Sequence, residues 1–180
     1  MKRCKWCNEK NEKYIKYHDE EWGVLNLDDK YLFEMLILES FQAGLSWECV
    51  LNKRDAFRKA FCDFDIDKVI LFDEKKKEEL YNNKDIIRNK LKIKAAINNA
   101  KIFIEIQKEY KTFSNYIWSF TDNKIIKNKD DNLKVSSYLS DKVSNDLKNR
   151  GMKFVGTVII YSYLQAIGVI DDHELSCSFY

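Results

Sequence analysis

The stretch Leu32–Trp47 sets the tightest limit on how this chain can fold. Leu32, Met35, Leu36, Glu39 and Ala43 stand at i, i+3, i+4, i+7 and i+11, one face of a 3.6-residue period. Four of the five are apolar and the fifth is a carboxylate. Gly44 follows, the residue type that most readily takes the left-handed conformation closing a helix. Ser46 is a good N-cap for a second helix, with Glu48 in its first turn. Trp47, Val50, Leu51, Phe57 and Phe61 give that helix an apolar stripe. The segment reads as a helical hairpin whose corner brings an acid, Glu39, and a large aromatic, Trp47, together. The plainer alternative is a carboxylate at the rim reaching for water and a tryptophan in the core, the commoner arrangement for such side chains.

The rest of the chain is consistent with an all-α fold. At 180 residues, 45% hydrophobic and 14% aromatic, it can build one domain over residues 1–180, or two small helical lobes sharing a core. Asn11 to Tyr17 forms a short helix or loop, and Asp28 or Asp29 caps the organising helix. Asp65 caps a short helix holding Ile66, Val69 and Ile70, and Asp73 starts a charged one, Glu74 to Tyr81, which Asn82 and Asn83 break. Asp85 to Ala100 reads as two helical pieces around Asn89, the second continuing to about Tyr110. Thr112 caps a segment with Phe113, Tyr116, Ile117 and Phe120, and Ser140 caps a helix ending near Gly151. Thr121 to Val135, rich in Asn and Lys, is expected to be an exposed loop. Phe154 to Gly168 is apolar nearly all round and is expected to be the central buried helix.

Global charge, +2, singles out no partner. No 18-residue apolar run occurs, and none follows Met1-Lys2-Arg3-Cys4, so neither a spanning helix nor a secretory signal is expected and the chain is expected inside the cell. Five cysteines, an odd number, fit free or metal-bound thiols better than a disulfide framework.

Two constellations carry chemistry. The only histidines are His18 and His173, with Cys177 four residues after the latter and Cys4 fourteen before the former. Two thiolates and two imidazoles make a tetrahedral zinc set, and this one would staple the two terminal segments together. Cys7 competes for a place in it, because Cys4-x-x-Cys7 is also ligand spacing; the alternative is ordinary residues near frayed ends. Second, Lys84, Arg88, Lys90, Lys92, Lys94 and Lys101 are opposed only by Asp85 between residues 84 and 101. Two helices meeting at a basic turn can offer amides and cations to phosphates, although a solvated lysine surface is the commoner outcome.

Together these pieces resemble the 3-methyladenine DNA glycosylase I family, bacterial base-excision repair enzymes. The resemblance is carried by Arg3-Cys4-x-Trp6, Tyr14-Ile15-x-Tyr17-His18-Asp19-x-Glu21-Trp22-Gly23-Val24, Leu38-Glu39-x-x-Gln42-Ala43-Gly44-Leu45-Ser46-Trp47, Ile86-Ile87-Arg88, Trp118-Ser119-Phe120, Lys153-Phe154-Val155-Gly156-Thr157, Gln165-Ala166-x-Gly168 and Asp172-His173, and so runs nearly end to end.

It implies a helix–hairpin–helix glycosylase fold with a structural zinc ion held by Cys4, His18, His173 and Cys177, which leaves Cys7 out. It implies that Glu39 is the functional carboxylate and reads the flipped base, that Tyr14, Tyr17 and Trp47 form the base pocket with Trp22 nearby, and that Leu45 helps fill the gap in the duplex. Arg88, Lys90 and Lys92 would grip the DNA backbone. The implied activity is hydrolysis of the N-glycosidic bond of 3-methyladenine in alkylated double-stranded DNA, monofunctional, with the free base as product. A monomer in the bacterial cytoplasm, associated with the nucleoid and not with membrane, is implied as well. The chain departs from the superfamily in having no glycine in the turn Arg88–Lys92 and no assigned catalytic aspartate. A zinc-stapled DNA-binding module without catalysis is the alternative, and a plain helical interaction domain a third.

The residue types suit the implied task. An adenine alkylated at N3 is cationic in the nucleotide and its glycosidic bond is already weak, so extraction and recognition dominate. Aromatic faces attract a flipped cationic ring by stacking and cation–π interaction. A carboxylate accepts from the exocyclic amine and complements the charge.

Overall fold

The computed structural model describes all of the chain except residues 128, 130, 131 and 133. One short 3-10 turn, Cys62–Phe64, and ten α-helices occur among the described residues. In the first part of the chain these are α1 (Glu12–Glu20), α2 (Asp29–Gln42), α3 (Trp47–Asn52), α4 (Arg54–Ala60), α5 (Ile66–Val69) and α6 (Glu74–Asn82). The second part holds α7 (Lys90–Tyr110), α8 (Phe113–Ser119), α9 (Tyr138–Asn149) and α10 (Thr157–Ala166). No helix is long and apolar enough to cross a membrane among the described residues.

Side-chain caps start most of these helices: Asn11, Asp28, Ser46, Asp65, Asp73, Asn89, Thr112 and Ser137 each accept from a first-turn amide. Each such cap contributes about 1 kcal/mol by satisfying an otherwise orphaned donor. Asp29, the other candidate cap, instead accepts from Gln107 and from the amides of Phe113 and Ser114, tying the start of α8 to α2.

The centre of the molecule is α2. All ten residues from Leu32 to Phe41 are buried, so this helix has no solvent face. It is enclosed by α3, α7, α8 and α10. Its charged residue Glu34 is neutralised by Arg54 at 2.7 Å and Arg58 at 2.8 Å. Phe154–Gly168, expected to be the central helix, is instead a partner of α2: it becomes helical only at Thr157, and Val158 is 51% exposed. Gly168, in the left-handed region at φ +76°, closes it.

Four further expectations are corrected. The second half of the hairpin is two helices, α3 and α4, broken at Lys53. Asp85–Arg88 is not helical; Asn89 caps a single long α7 by accepting from the amides of Leu91 and Lys92. Ser137, not Ser140, caps α9, and the Ser140 side chain completes a reciprocal capping box. The fold is not wholly helical, since β1 (Ile126–Lys127) and β2 (Ile170–Asp171) pair in parallel. Outside the four undescribed residues, Thr121–Val135 is exposed as expected, apart from half-buried Thr121.

Candidate functional site

Gly44 takes φ +80° and ends the run from α2, and Ser46 caps α3 through the Cys49 amide at 3.2 Å. This corner aims the last turn of α2 and the first residue of α3 at one cavity of about 270 Å³. Tyr14 and Tyr17 reach it from α1, Trp22 from the loop after α1, Glu39 and Gln42 from α2, and Trp47 from α3. All five residues expected in a base pocket are therefore brought together.

Glu39 is not a rim carboxylate. It is 2% exposed, its Oε2 has no hydrogen-bond partner, and burial alone pushes its pKa up to about 8. Trp47 is also buried, with Nε1 unpartnered, and its ring lies 5.1 Å from that of Tyr17. Both Tyr14 and Tyr17 hydroxyls are held above their ordinary pKa, chiefly by burial, so they remain neutral.

The cavity has walls that the analysis of the sequence left without a role. Trp6 packs edge-on to Trp22 at 4.7 Å and to Tyr14 at 5.6 Å, extending the aromatic lining. Ser162 and Gln165 enter from α10, and Asp172 and Glu174 from the segment after β2. Asp172 is fixed by the Tyr161 hydroxyl at 2.5 Å and the Gln165 amide at 2.8 Å. Lys134, exposed, lines the mouth. Trp6, Gln165 and Asp172 stand in the motifs that carry the resemblance, Trp6 two residues beyond one candidate metal ligand and Asp172 next to another. Ser162, Gln165, Asp172 and Glu174 lie more than a hundred residues from Glu39 in sequence and meet it through the packing of α10 on α2.

Behind this wall the two terminal segments meet. The ligand atoms of Cys4, His18 and Cys177 lie within 4.8 Å of one another, and Cys177 Sγ is 3.7 Å from His18 Nε2. The His173 ring stands 5.3 Å from the His18 ring. In both histidines Nδ1 lies 2.7 Å from a carboxylate, that of Asp19 for His18 and that of Asp171 for His173. Each imidazole thus presents Nε2 inward. His173 Nε2 is buried with no partner, a costly state for a polar atom. Two sulfurs and the His18 imidazole form one cluster with the His173 imidazole beside it, and carboxylates on the far ring nitrogens suit the histidines of a zinc site. Cys7 is not in this group; its Sγ turns to the Tyr14 carbonyl at 3.9 Å.

The basic turn divides. Arg88 and Lys90 are exposed, with Lys90 Nζ 5.0 Å from the centre of the Tyr81 ring. Lys92 is not on that surface. It is 6% exposed and donates to the carbonyls of Phe41 at 2.9 Å and Ala43 at 2.5 Å, so it is not placed to meet a phosphate. Leu45, 43% exposed, stands at the tip of the α2–α3 corner. A second helical hairpin, α9–α10, does carry glycines in its turn: Gly151 at φ +99° and Gly156 as an N-cap without a side chain.

A family model described as methyladenine glycosylase matches residues 6–180. DNA-3-methyladenine glycosylase 1 of Escherichia coli K12 is 42% identical over all of this chain and 97% of its own length. A crystal structure of 3-methyladenine DNA glycosylase I superposes with a TM-score of 0.94 at 40% identity, covering 98% of each chain. A variant of such an enzyme, solved in complex with 3-methyladenine, also gives 0.94, at 32% identity over 99% of this chain and 97% of that one.

Proposed function

The chain belongs to the methyladenine glycosylase family, and with it to the DNA-3-methyladenine glycosylases, and we propose that it draws a 3-methyladenine nucleotide out of alkylated double-stranded DNA and hydrolyses the N-glycosidic bond, releasing the free base without a lyase step.

The observation that carries this reading is Glu39, a buried carboxyl without an ion-pair partner among the described residues, on the wall of an aromatic cavity. A charge buried alone is expensive, so in the empty pocket the acid form prevails at neutral pH. A cationic base supplies the missing counter-charge, and Glu39 gives its proton to water and becomes the ion-pair partner. Tyr14, Tyr17, Trp6, Trp22 and Trp47 offer ring faces and edges to the base. An unmodified adenine would gain that stacking but leave Glu39 uncharged. Discrimination thus rests on the cost of a lone buried charge, which only a cationic base removes.

Extraction from the duplex costs a few kcal/mol of unstacking, on the order expected for a damaged base. Leu45, at the exposed tip of the corner, is suited to occupy the vacated space. Arg88 and Lys90 remain candidates for phosphate contact. The α9–α10 turn joins them in this reading, because no side chain competes for the first amides of α10. A lyase step would need an amine activated in dry surroundings; Tyr14, Tyr17, Glu39 and Trp47 provide none, and Lys134 is exposed. Zinc on Cys4, His18, His173 and Cys177 would act as a staple with no coordination position for water. The reading carries with it a monomer of the bacterial cytoplasm and nucleoid.

Chromatography of the bases released from methylated duplex DNA tests it. Free 3-methyladenine is expected. Duplex binding without base release would favour a DNA-binding module instead.

A further inference from the structure

Lys92 is buried, yet among the described residues its ammonium meets only two backbone carbonyls and the Phe154 ring. Burial holds its pKa below the ordinary lysine value, and no carboxylate offsets that cost. Phe41 and Ala43, its acceptors, lie at the C-terminal end of α2, where carbonyls lack helical partners and the helix dipole is negative. A buried ion is a poor choice for stability alone, since an apolar side chain of similar volume often does as well. What it adds here is a fixed geometry.

Three segments meet at this one group. Lys92 itself belongs to the first turn of α7, just past the exposed Arg88 and Lys90. Its acceptors open the α2–α3 corner. The ring of Phe154, from the α9–α10 turn and at φ +55°, is centred 5.9 Å from Nζ. The outer side of the corner is open at Gly44, where a Cβ would find no atom within 4 Å. The anchor is therefore on the inner side.

We propose that Lys92 is a positioning residue, its ammonium fixing the corner that carries Leu45 in register with both exposed turns. This rests on the glycosylase reading above. Lys92 then matters most when a base must be held out of a duplex, and least when a free base simply enters the cavity.

The test compares Lys92→Met and Lys92→Arg with the unaltered protein in free 3-methyladenine affinity, single-turnover excision from methylated duplex and single-stranded DNA, and amide exchange at Leu45. Lys92→Met is expected to bind the free base within about threefold of the parent, to excise from duplex at least about tenfold more slowly, and to lose less on single strands, as misplacement of a positioning element does. The Leu45 amide, which donates to Gln42 at 2.6 Å, should exchange faster. Lys92→Arg should recover part of the duplex rate, and if the methionine variant does not fold, the arginine variant carries the same comparison against the parent. Equal losses of duplex excision and free-base affinity, or no change in either, would overturn the proposal. If the parent releases no base at all, the glycosylase reading fails, while unchanged Leu45 exchange in the variants separately refutes the anchor.

Discussion

Glu39 and Trp47 flank the Gly44 corner and each ends in a buried polar atom with no partner, Oε2 in one and Nε1 in the other. In the proposed reading, two such atoms on one cavity wall are the recognition surface that a ligand with complementary edges satisfies. Leaving them unsatisfied costs about 1–3 kcal/mol for each group, which binding can recover.

The first prediction follows from that pair. The substrate base is cationic before cleavage and neutral afterwards, with positive charge passing to the sugar, so a carboxylate beside the base favours the ground state at least as much as the transition state. Glu39→Gln should weaken capture by about 2 kcal/mol, as expected for a charged hydrogen bond, with a smaller loss in the saturated single-turnover rate. Trp47→Ala should weaken capture by roughly 1–3 kcal/mol through lost stacking. Single-turnover excision across an enzyme titration separates the two terms; unchanged capture with an abolished saturated rate for Glu39→Gln would make Glu39 a chemical catalyst.

The second concerns stability of the free protein. Burial raises Glu39 from its ordinary 4.5 to about 8 in the folded state. A group raised on folding contributes its stability in full below the unfolded pKa and loses it as pH climbs through the folded one. The parent should therefore lose stability relative to Glu39→Gln between about pH 4.5 and 8, with a constant difference outside that window. Melting curves of the two proteins over this range read the difference directly, and parallel curves would refute it.

The third concerns metal. Protein purified without added metal should hold one zinc per chain by elemental analysis, and Cys7→Ser should keep it while His173→Ala lowers it. Chelation should reduce the melting temperature, because binding to the folded state alone stabilises it. Less than about half an equivalent in folded protein would count strongly against the four-ligand staple.

The fourth concerns the absence of lyase chemistry. Borohydride added during turnover reduces a Schiff base to a stable protein–DNA adduct. None is expected, since an exposed amine such as Lys134 lacks the desolvation that activates a lysine nucleophile. A strong adduct that disappears in Lys134→Ala would reassign that residue.

The pocket was legible in the sequence where local chemistry and period coincide. The Gly44–Ser46 punctuation places Glu39 and Trp47 at one corner whatever surrounds them, and the caps at Asp65, Asp73 and Thr112 behave as local signals should. What escaped notice depended on tertiary enclosure. Period alone left open whether Glu39 reaches water at the rim, whereas it is buried bare while Arg54 and Arg58 neutralise Glu34 on the same helix. Lys92 looked like its neighbours Lys90 and Lys94, and only the approach of the end of α2 turns it inward. Ser162, Gln165 and Asp172 carry no local mark of a pocket, because it is the contact of α10 with α2 that makes them one.

The meeting of the terminal segments also fixes when the site can exist during synthesis. The Lys5 amide donates to Glu174 at 2.8 Å, and the Lys2 and Ser178 backbones are joined at 2.8 Å. Trp6 and the much later Asp172 and Glu174 line the same cavity. The cavity stays open on one side until residues 172–177 have emerged. On the proposed reading, base recognition therefore waits for residues 172–177, and a chain stalled before them is expected to be blind to the lesion.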